Sequence, residues 1–437
     1  DGTVAIGYYA LNALTTGAKN VAIGYSALAA CTEGDDNIAI GYSALSVMAG
    51  ASGGSKTNVG DSNIAIGREA MNAVDAGTHD DALSDGNIAI GANALRGGDF
   101  VAADKDLLGN IAIGHEALDD TGTYPQTGTI AIGYKALTSL TSGGQNIAVG
   151  YRAMLTHTTG VRNIAIGNDA MIDTDGTDIS SGSAATVLAS EDNIFMGYLS
   201  GGGNWCNGVA AAASNQNIAI GNYTMDAVMS GASRNTAIGH SAASQITEGG
   251  DNVMVGRLAG DTITTGSDNV ILGSGADVDA SGRAGCIIIG KDLSLNTASD
   301  NVVEIGNDSN SLIADLDSVS GTFAVTSDIR IKKDINDVEI GLDFINALRP
   351  VTFKKRPTSE YPEEFGVKNP SNESTNKVQT GLIAQEVKVV MDEMDVDFSG
   401  WGEGINTKQR LCYETFVMPL IKAVQELSAE VEKLKNK

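Results

Sequence analysis

Aromatic residues recur at one fixed place within residues 1–240, directly after a glycine that ends a short apolar run. Tyr25 and Tyr42 are 17 residues apart, and so are Tyr134 and Tyr151. Other copies of this place hold Tyr8, Tyr198, His115 and His240. An exposed column of aromatic faces could bind glycans by stacking on sugar rings. Alternatively, the rings only cover a turn of the chain.

Acidic side chains are the second group that could do chemistry. Aspartates precede several of the apolar runs, as at Asp36, Asp192, Asp251 and Asp268. A calcium site needs ~6–8 oxygen ligands, and no spacing here brings so many together. The aspartates also form no pair of the kind that hydrolyses glycosidic bonds. We therefore interpret them as solvated turn residues, and we expect no metal and no cofactor.

Cysteine usage and charge exclude further classes of function. Cys31, Cys206, Cys286 and Cys412 are scattered, so neither a zinc site nor a disulfide framework is indicated. Residues 321–437 hold 16 of the 28 Lys and Arg and 19 of the 54 Asp and Glu, which leaves a net charge of −23 on residues 1–320. Such a surface repels phosphate backbones, so nucleic acid is not an expected partner. No apolar run approaches the ~18 residues of a membrane helix, so membrane insertion is not expected.

A repeat positions these residues along the first three quarters of the chain. It reads Asn, Ile or Val, Ala, Ile, Gly, then two variable residues, then Ala and Leu or Met. The basal period is 17 residues. The repeat has sixteen copies, whose glycines are at positions 7, 24, 41, 67, 91, 114, 133, 150, 167, 197, 221, 239, 256, 273, 290 and 306.

This period suits a parallel β-solenoid made of short strands and turns. The two Ile residues of a copy are at i and i+2 and share one face of a strand, while Ala points the other way. A small Ala would allow close approach either inside a narrow coil or against a neighbouring chain. Gly ends the strand where the chain must turn. The sequence predicts a mostly β fold with a shaft of about sixteen coils over residues 1–306.

The repeat resembles the left-handed β-roll of trimeric autotransporter adhesin heads and the repeats of some phage tail fibres. Those families are homotrimers, so the resemblance implies a parallel homotrimer in which an Ala-lined flank would permit close three-fold packing.

Insertions lengthen five of the coils and should emerge at one corner of the shaft. They cover residues 46–62, 72–86, 96–109, 172–192 and 202–216. Insertions on one face of a solenoid are often its binding face, although tolerated loop drift is an equal alternative. Trp205 lies in the last insertion, and we predict it as the best single receptor contact, followed by Tyr25, Tyr42, Tyr134 and Tyr151.

The remaining residues read as a separate domain. Residues 307–326 alternate loosely and predict a short β neck, and residues 327–437 predict a small α+β domain. Within it we expect a helix at 340–348, a strand at 351–355 and a strand running into a helix at 380–395. A heptad seam with spacings of 3, 4, 3, 4 and 3 predicts a terminal coiled coil. The seam contains Val417, Leu420, Val424, Leu427, Val431 and Leu434.

Three motifs in this domain resemble the autoproteolytic intramolecular chaperone found at the C-terminus of phage tailspikes and endosialidases. The first is SDIRIKKDI from Ser327, the second is GLIAQEV from Gly381, and the third starts at Tyr413 and continues along the last helix. They occur in the family's order and at the end of the chain.

The resemblance implies a self-cleaving serine peptidase that acts only in cis. By carry-over, Ser327 is the nucleophile and Lys332 the base, and the cut falls between Thr326 and Ser327. A lysine must lose its proton to act as a base, which requires burial or a cationic neighbour. The alternative is that Ser327 caps a turn and the lysines are solvated.

The resulting functional hypothesis is a homotrimeric fibre, located on a virion tail or a cell surface, that binds a cell-surface glycan or protein. Its C-terminal chaperone would assemble the shaft. Two alternatives stay open, a tailspike enzyme that degrades surface polysaccharide and a bacterial adhesin with a phage-derived chaperone.

Overall fold

The structure is a computed structural model that describes most of the chain in two compact units, residues 1–326 and 327–437. The residues described are 2–47, 60–73, 84–97, 106–121, 126–174, 189–205, 212–295, 299–308, 310–316, 332–363, 377–403 and 408–436. None of the helices in these ranges combines the length and the apolar composition that a membrane span requires.

The first unit is built around one 17-stranded sheet. All its neighbouring strands pair in parallel, except for the last two along the chain, which are antiparallel to each other. Motif residues face their equivalents in the next coil, as Ile38 faces Ile64 and Ala39 faces Ala65. The strands are β1 Val4–Ile6, β2 Val21–Ile23, β3 Ile38–Ile40, β4 Ile64–Ile66, β5 Ile88–Ile90, β7 Ile111–Ile113, β9 Ile130–Ile132, β10 Ile147–Val149, β11 Ile164–Ile166, β12 Ile194–Met196, β13 Ile218–Ile220, β14 Thr236–Ile238, β15 Val253–Val255, β16 Val270–Leu272, β17 Ile287–Lys291, β18 Val302–Asn307 and β19 Asn310–Asp315.

This arrangement confirms the predicted parallel β-solenoid. Two further short strands, β6 at Leu107–Leu108 and β8 at Gln126–Thr127, pair in parallel on another side of the coil. β19 covers part of the segment predicted as a neck and pairs back onto β18, while residues 317–331 lie outside the described residues.

The strands bury their middle residue and turn the flanking pair outward. Ala22, Ala39 and Ala65 have no exposed surface, and they line the interior of the chain's own coil. Ile6, Ile90 and other flanking residues are partly exposed. Of the two places left open for the alanines, the coil interior is the one observed, and the Ala-lined flank that the resemblance implied does not form. The outward columns consist of Ile and Val instead.

Glycine is required at the strand end because successive coils almost touch there. Gly24 and Gly41 have φ of +135° and +140°, in the region that favours glycine. A Cβ built on Gly24 would overlap the carbonyl oxygen of Gly41, and the same overlap recurs from coil to coil. Any other residue would push two coils apart.

The asparagine that precedes most of the strands joins three backbone segments. The side-chain Oδ1 of Asn37 accepts the backbone N–H of Asn63 at 2.9 Å, and its Nδ2 donates to the carbonyl of Gly60 at 2.7 Å. Asn63, Asn217 and Asn252 make equivalent bonds, and all are fully buried. This ladder satisfies backbone groups that a solenoid turn would leave unpaired inside the core.

A third interior position follows the motif glycine by seven residues. Leu140, His157 and Thr174 occupy it in consecutive coils and are buried. Nδ1 of His157 lies 2.9 Å from the Thr174 hydroxyl, and burial lowers the pKa of His157 to about 4. The ring is therefore a neutral core residue at physiological pH.

In two coils, the large and the small core residue have swapped positions. Most coils have Ala in the strand and Leu or Met four residues after the glycine. The coil of β12 has Phe195 and Gly201, and the coil of β15 has Met254 and Gly260. A Cβ on Gly260 would lie 2.6 Å from Sδ of Met254, so the large side chain uses the space that the glycine leaves. Core volume is thus conserved in these two coils.

We predict that this exchange can be reversed. Gly260→Leu alone overpacks the coil and should cost about 1–3 kcal/mol. Met254→Ala alone leaves a cavity and should cost about 2–4 kcal/mol. The double variant recreates the common Ala–Leu coil and should recover most of the loss, which circular dichroism during thermal unfolding of the full chain would measure.

The converse exchange serves as the matched control. Ala22→Met with Leu28→Gly should likewise be better tolerated than either single change. Strictly additive losses in both pairs would contradict the conserved-volume explanation.

The second unit is a small α+β domain, as predicted. Its helices are α1 Leu342–Ala347, α2 Ala384–Glu393 and α3 Val417–Lys435, with 3-10 turns at Thr358–Glu360 and Tyr413–Phe416. Its strands form two antiparallel pairs, β20 Val351–Phe353 with β21 Gln379–Gly381 and β22 Trp401–Glu403 with β23 Gln409–Leu411. The expected elements at 340–348, 351–355 and 380–395 correspond to α1, β20 and β21 with α2.

Candidate functional site

The C-terminal unit is held by an aromatic core beneath its helices. The ring centroids of Phe344 and Phe398 are 5.3 Å apart, and those of Phe398 and Phe416 are 4.6 Å apart. Val387 and Met391 of α2 pack into the same cluster. The core therefore ties α1, α2 and the start of α3 into one body.

The second and third sequence motifs meet in this unit. The backbone N–H of Leu382 donates to the Tyr413 hydroxyl oxygen at 2.8 Å. A Cβ on Gly381 would overlap that hydroxyl and approach Cε1 of Phe353 to 3.4 Å. Only glycine fits at position 381, because the Tyr413 hydroxyl lies too close for a side chain. The two motifs therefore pack against each other.

A side chain of α3 also caps the N-terminus of α1. No side chain of α1 caps its own N-terminus, and the backbone N–H of Leu342 donates instead to Oε2 of Glu426 at 2.8 Å. This carboxylate satisfies a helix-end donor from 84 residues away in sequence. α3 is therefore fixed on one side by α1.

Another side of α3 is apolar and exposed. All six residues of the predicted heptad seam are at least 40% exposed in the single chain. They are Val417, Leu420, Val424, Leu427, Val431 and Leu434. A continuous apolar seam of this kind is typical of a helix that pairs with other helices.

The predicted cleavage site is only partly visible. Thr326 and Ser327 lie outside the described residues, so their geometry with Lys332 is not described. Lys332 begins the described part of the C-terminal unit, and its side chain is exposed in the single chain. The Ser327 and Lys332 dyad stays a prediction.

The tyrosine column divides into separate stacks along the shaft. The ring centroids of Tyr25 and Tyr42 are 5.3 Å apart with planes 8° apart, and those of Tyr134 and Tyr151 are 5.2 Å and 13° apart. Neighbouring rings therefore cover each other's faces. The solvent therefore meets a row of ring edges and phenol hydroxyls, which suits hydrogen bonding better than the face stacking of sugars, one of the two alternatives given above.

Trp205 is inside the shaft. Its side chain is 3% exposed, its ring lies 5.5 Å from that of Phe195, and its indole N–H donates to the carbonyl of Gly201 at 3.1 Å. It fills the coil in which Phe195 and Gly201 replace the usual pair. In this position the ring is a core residue, and it does not present a surface to a receptor.

The described acidic residues show no metal cluster and mostly serve turns. Asp35 and Asp61 each accept a backbone N–H of the preceding coil, at 2.6 and 2.7 Å. Burial raises the pKa of Asp277 to about 7, helped by a hydrogen bond with Asp261. Sequence reasoning missed this pair, because nothing in its spacing distinguishes it from other turn acids. Asp277 accepts the backbone N–H groups of Thr262 and Val278, so it too has a structural task.

Comparison with known proteins identifies the C-terminal unit. Residues 327–395 match the family described as chaperone of endosialidase. The second unit thus carries an intramolecular chaperone of the endosialidase type, as the motifs predicted. No curated protein and no solved structure shows significant similarity to the chain.

Proposed function

We propose that three copies of this chain form a parallel fibre that binds a cell-surface receptor and is assembled by the C-terminal chaperone. The observation that carries the proposal is the outward Ile and Val face of the shaft sheet. Parallel sheets are almost always covered on both faces. Here the coil interior covers one face, and the other face is open in the single chain.

A second copy of the shaft is the partner that fits this face. Its apolar columns repeat with the spacing of the coils, ~4.8 Å. Only a surface with the same repeat can match them along sixteen strands. Identical surfaces that close around a three-fold axis would bury the columns of all three chains.

The chaperone supplies what the shaft lacks. Because the coils are so similar, a shift by one coil leaves most contacts intact, and the correct register is weakly specified. Pairing between distant segments is also slow to nucleate. A unit that holds three chains level at one end would select the register before the shaft forms.

The α3 seam is consistent with assembly, but it does not determine how many chains associate. Val occupies one seam position of each heptad and Leu the other, a pattern that by itself favours two strands. We therefore assign the three-fold order to the shaft and the chaperone core, with the seam as an added contact.

If the outward sheet face is the trimer interface, positive charges placed on it should prevent trimer formation. Native mass spectrometry of the wild-type chain should show trimers at micromolar concentration. Ile220→Lys with Ile238→Lys would bury cations in the apolar interface and should abolish the trimer. Gln245→Lys with Thr262→Lys adds the same charge at exposed places outside the strands and should leave trimers intact. A monomeric wild type, or a trimer indifferent to the strand lysines, would refute the proposal.

We further propose that the chaperone releases itself by cutting between Thr326 and Ser327. The support is the family match, which begins at residue 327. Lys332 is exposed in the single chain, so any burial that activates it would come from the assembled trimer. Cleavage would then report completed assembly.

Mutation of the dyad should separate folding from processing. Wild-type protein should yield fragments 1–326 and 327–437, whereas Ser327→Ala and Lys332→Ala should each remain full length and trimeric. Lys377→Ala, which removes the same charge elsewhere in the domain, should be cut normally. Intact mass measurement decides the outcome, and a cut at this bond in Ser327→Ala would refute the assigned nucleophile.

Receptor binding is proposed for the shaft surface, with the hydroxyl edges of Tyr25, Tyr42, Tyr134 and Tyr151 as contacts. The support is their exposure in ordered stacks. A tailspike enzyme and a bacterial adhesin remain the alternative assignments.

Conservative changes distinguish the hydroxyls from the rings. Tyr134→Phe with Tyr151→Phe keeps the stack and removes both hydroxyls, so cell or glycan binding should fall by about tenfold. The Ala variants should lose at least as much. Unchanged binding in the Ala variants would place the receptor site elsewhere.

A further inference from the structure

A groove in the C-terminal unit borders the aromatic core at Phe398 and has no part in the processing described above. It has a volume of about 560 Å³ and lies between residues 336–340, residues 395–399 and the start of α3. Its lining is partly apolar, with Ile340, Val396, Phe398 and Met418. A cleft of this size and composition can hold several side chains of a partner.

Carboxylates surround the groove. Asp337, Glu339, Asp395 and Asp397 are all exposed lining residues. None of the four forms an ion pair with another described residue. Four uncompensated negative charges beside an apolar lining favour a partner that presents cations next to an apolar side chain.

The same unit carries a surface of that chemistry. Lys354, Lys355 and Arg356 follow β20 directly, and all three are exposed. Phe353, the last residue of β20, is 39% exposed beside them. These cations also have no ion pair among the described residues.

Charge distribution indicates which molecule brings the cations. The shaft has a net charge of −23 over residues 1–320, so the acidic groove repels it. Residues 321–437 hold 16 of the 28 Lys and Arg of the chain. Among segments of this protein, another chaperone unit is therefore the best source of a cationic partner.

We propose that the groove of one copy binds the basic segment Phe353–Arg356 of the neighbouring copy. Because donor and acceptor are different surfaces, the contact is head to tail and closes into a ring with three copies. The groove also adjoins the α3 seam, since Met418 and Pro419 lie between Val417 and Leu420. This inference rests on the proposed trimer and adds the contact that orders its chaperone units.

Charge reversal with rescue tests the contact in the full-length chain. Glu339→Lys with Asp397→Lys reverses the groove, and Lys354→Glu with Lys355→Glu reverses the basic segment. Each pair should lower the trimer population in native mass spectrometry by about tenfold, and combining all four should restore it. Lys377→Glu with Arg410→Glu makes the same charge change outside both surfaces and should have no effect.

A zero-length carbodiimide cross-link supplies an independent readout. Wild-type protein should give covalent dimers and trimers joined between Lys354 or Lys355 and Glu339 or Asp397. A wild-type trimer without this cross-link, or a quadruple variant that stays as weakened as the groove and segment variants, overturns the groove contact alone. A wild-type monomer overturns the trimer itself.

Discussion

The near contact of successive glycines is the constraint on which the shaft depends. Carbonyl groups and α-carbons meet so closely at Gly24 and Gly41 that no Cβ fits between the coils. This fixes the distance between coils, and the same distance allows each asparagine to reach both the next backbone N–H and a carbonyl. One short approach thus sets the sheet pairing, the asparagine ladder and the spacing of every outward column.

The cost of this geometry is local backbone strain that only stacking offsets. Each coil places non-glycine residues in the left-handed region, as at Ser26 and Leu28 with φ of 55° and 51°. Two such residues cost about 2–4 kcal/mol per coil. An isolated coil is therefore unstable, because nothing offsets this strain. A coil that forms beside a folded one gains hydrogen bonds and core contacts at once. A shaft of this kind starts with difficulty and then propagates, which is the physical case for a separate assembly domain.

Sequence predicted the periodic features well because they follow from residue size and spacing. The Ile-Ala-Ile-Gly run gave the strands and their register, and the heptad seam gave α3. The sequence did not show whether the alanines face the coil interior or a neighbouring chain, because close packing in either place requires a small residue. Trp205 was misplaced since its burial depends on Phe195 and Gly201, a local exchange that has no signature outside the fold. The groove was also invisible, because its two lining loops are some 60 residues apart and only the fold brings them together.

The sameness of the coils has a consequence for how such a gene can change. Within one chain, each coil contacts the coil before it and the coil after it through glycine and asparagine columns that are similar along most of the shaft. Deleting or duplicating one whole repeat therefore rejoins surfaces that already fit. Recombination between repeats can change the length of the shaft in steps of one coil, ~4.8 Å each, without a compensating mutation. The length of the shaft is thus the property of this protein that recombination can change most easily.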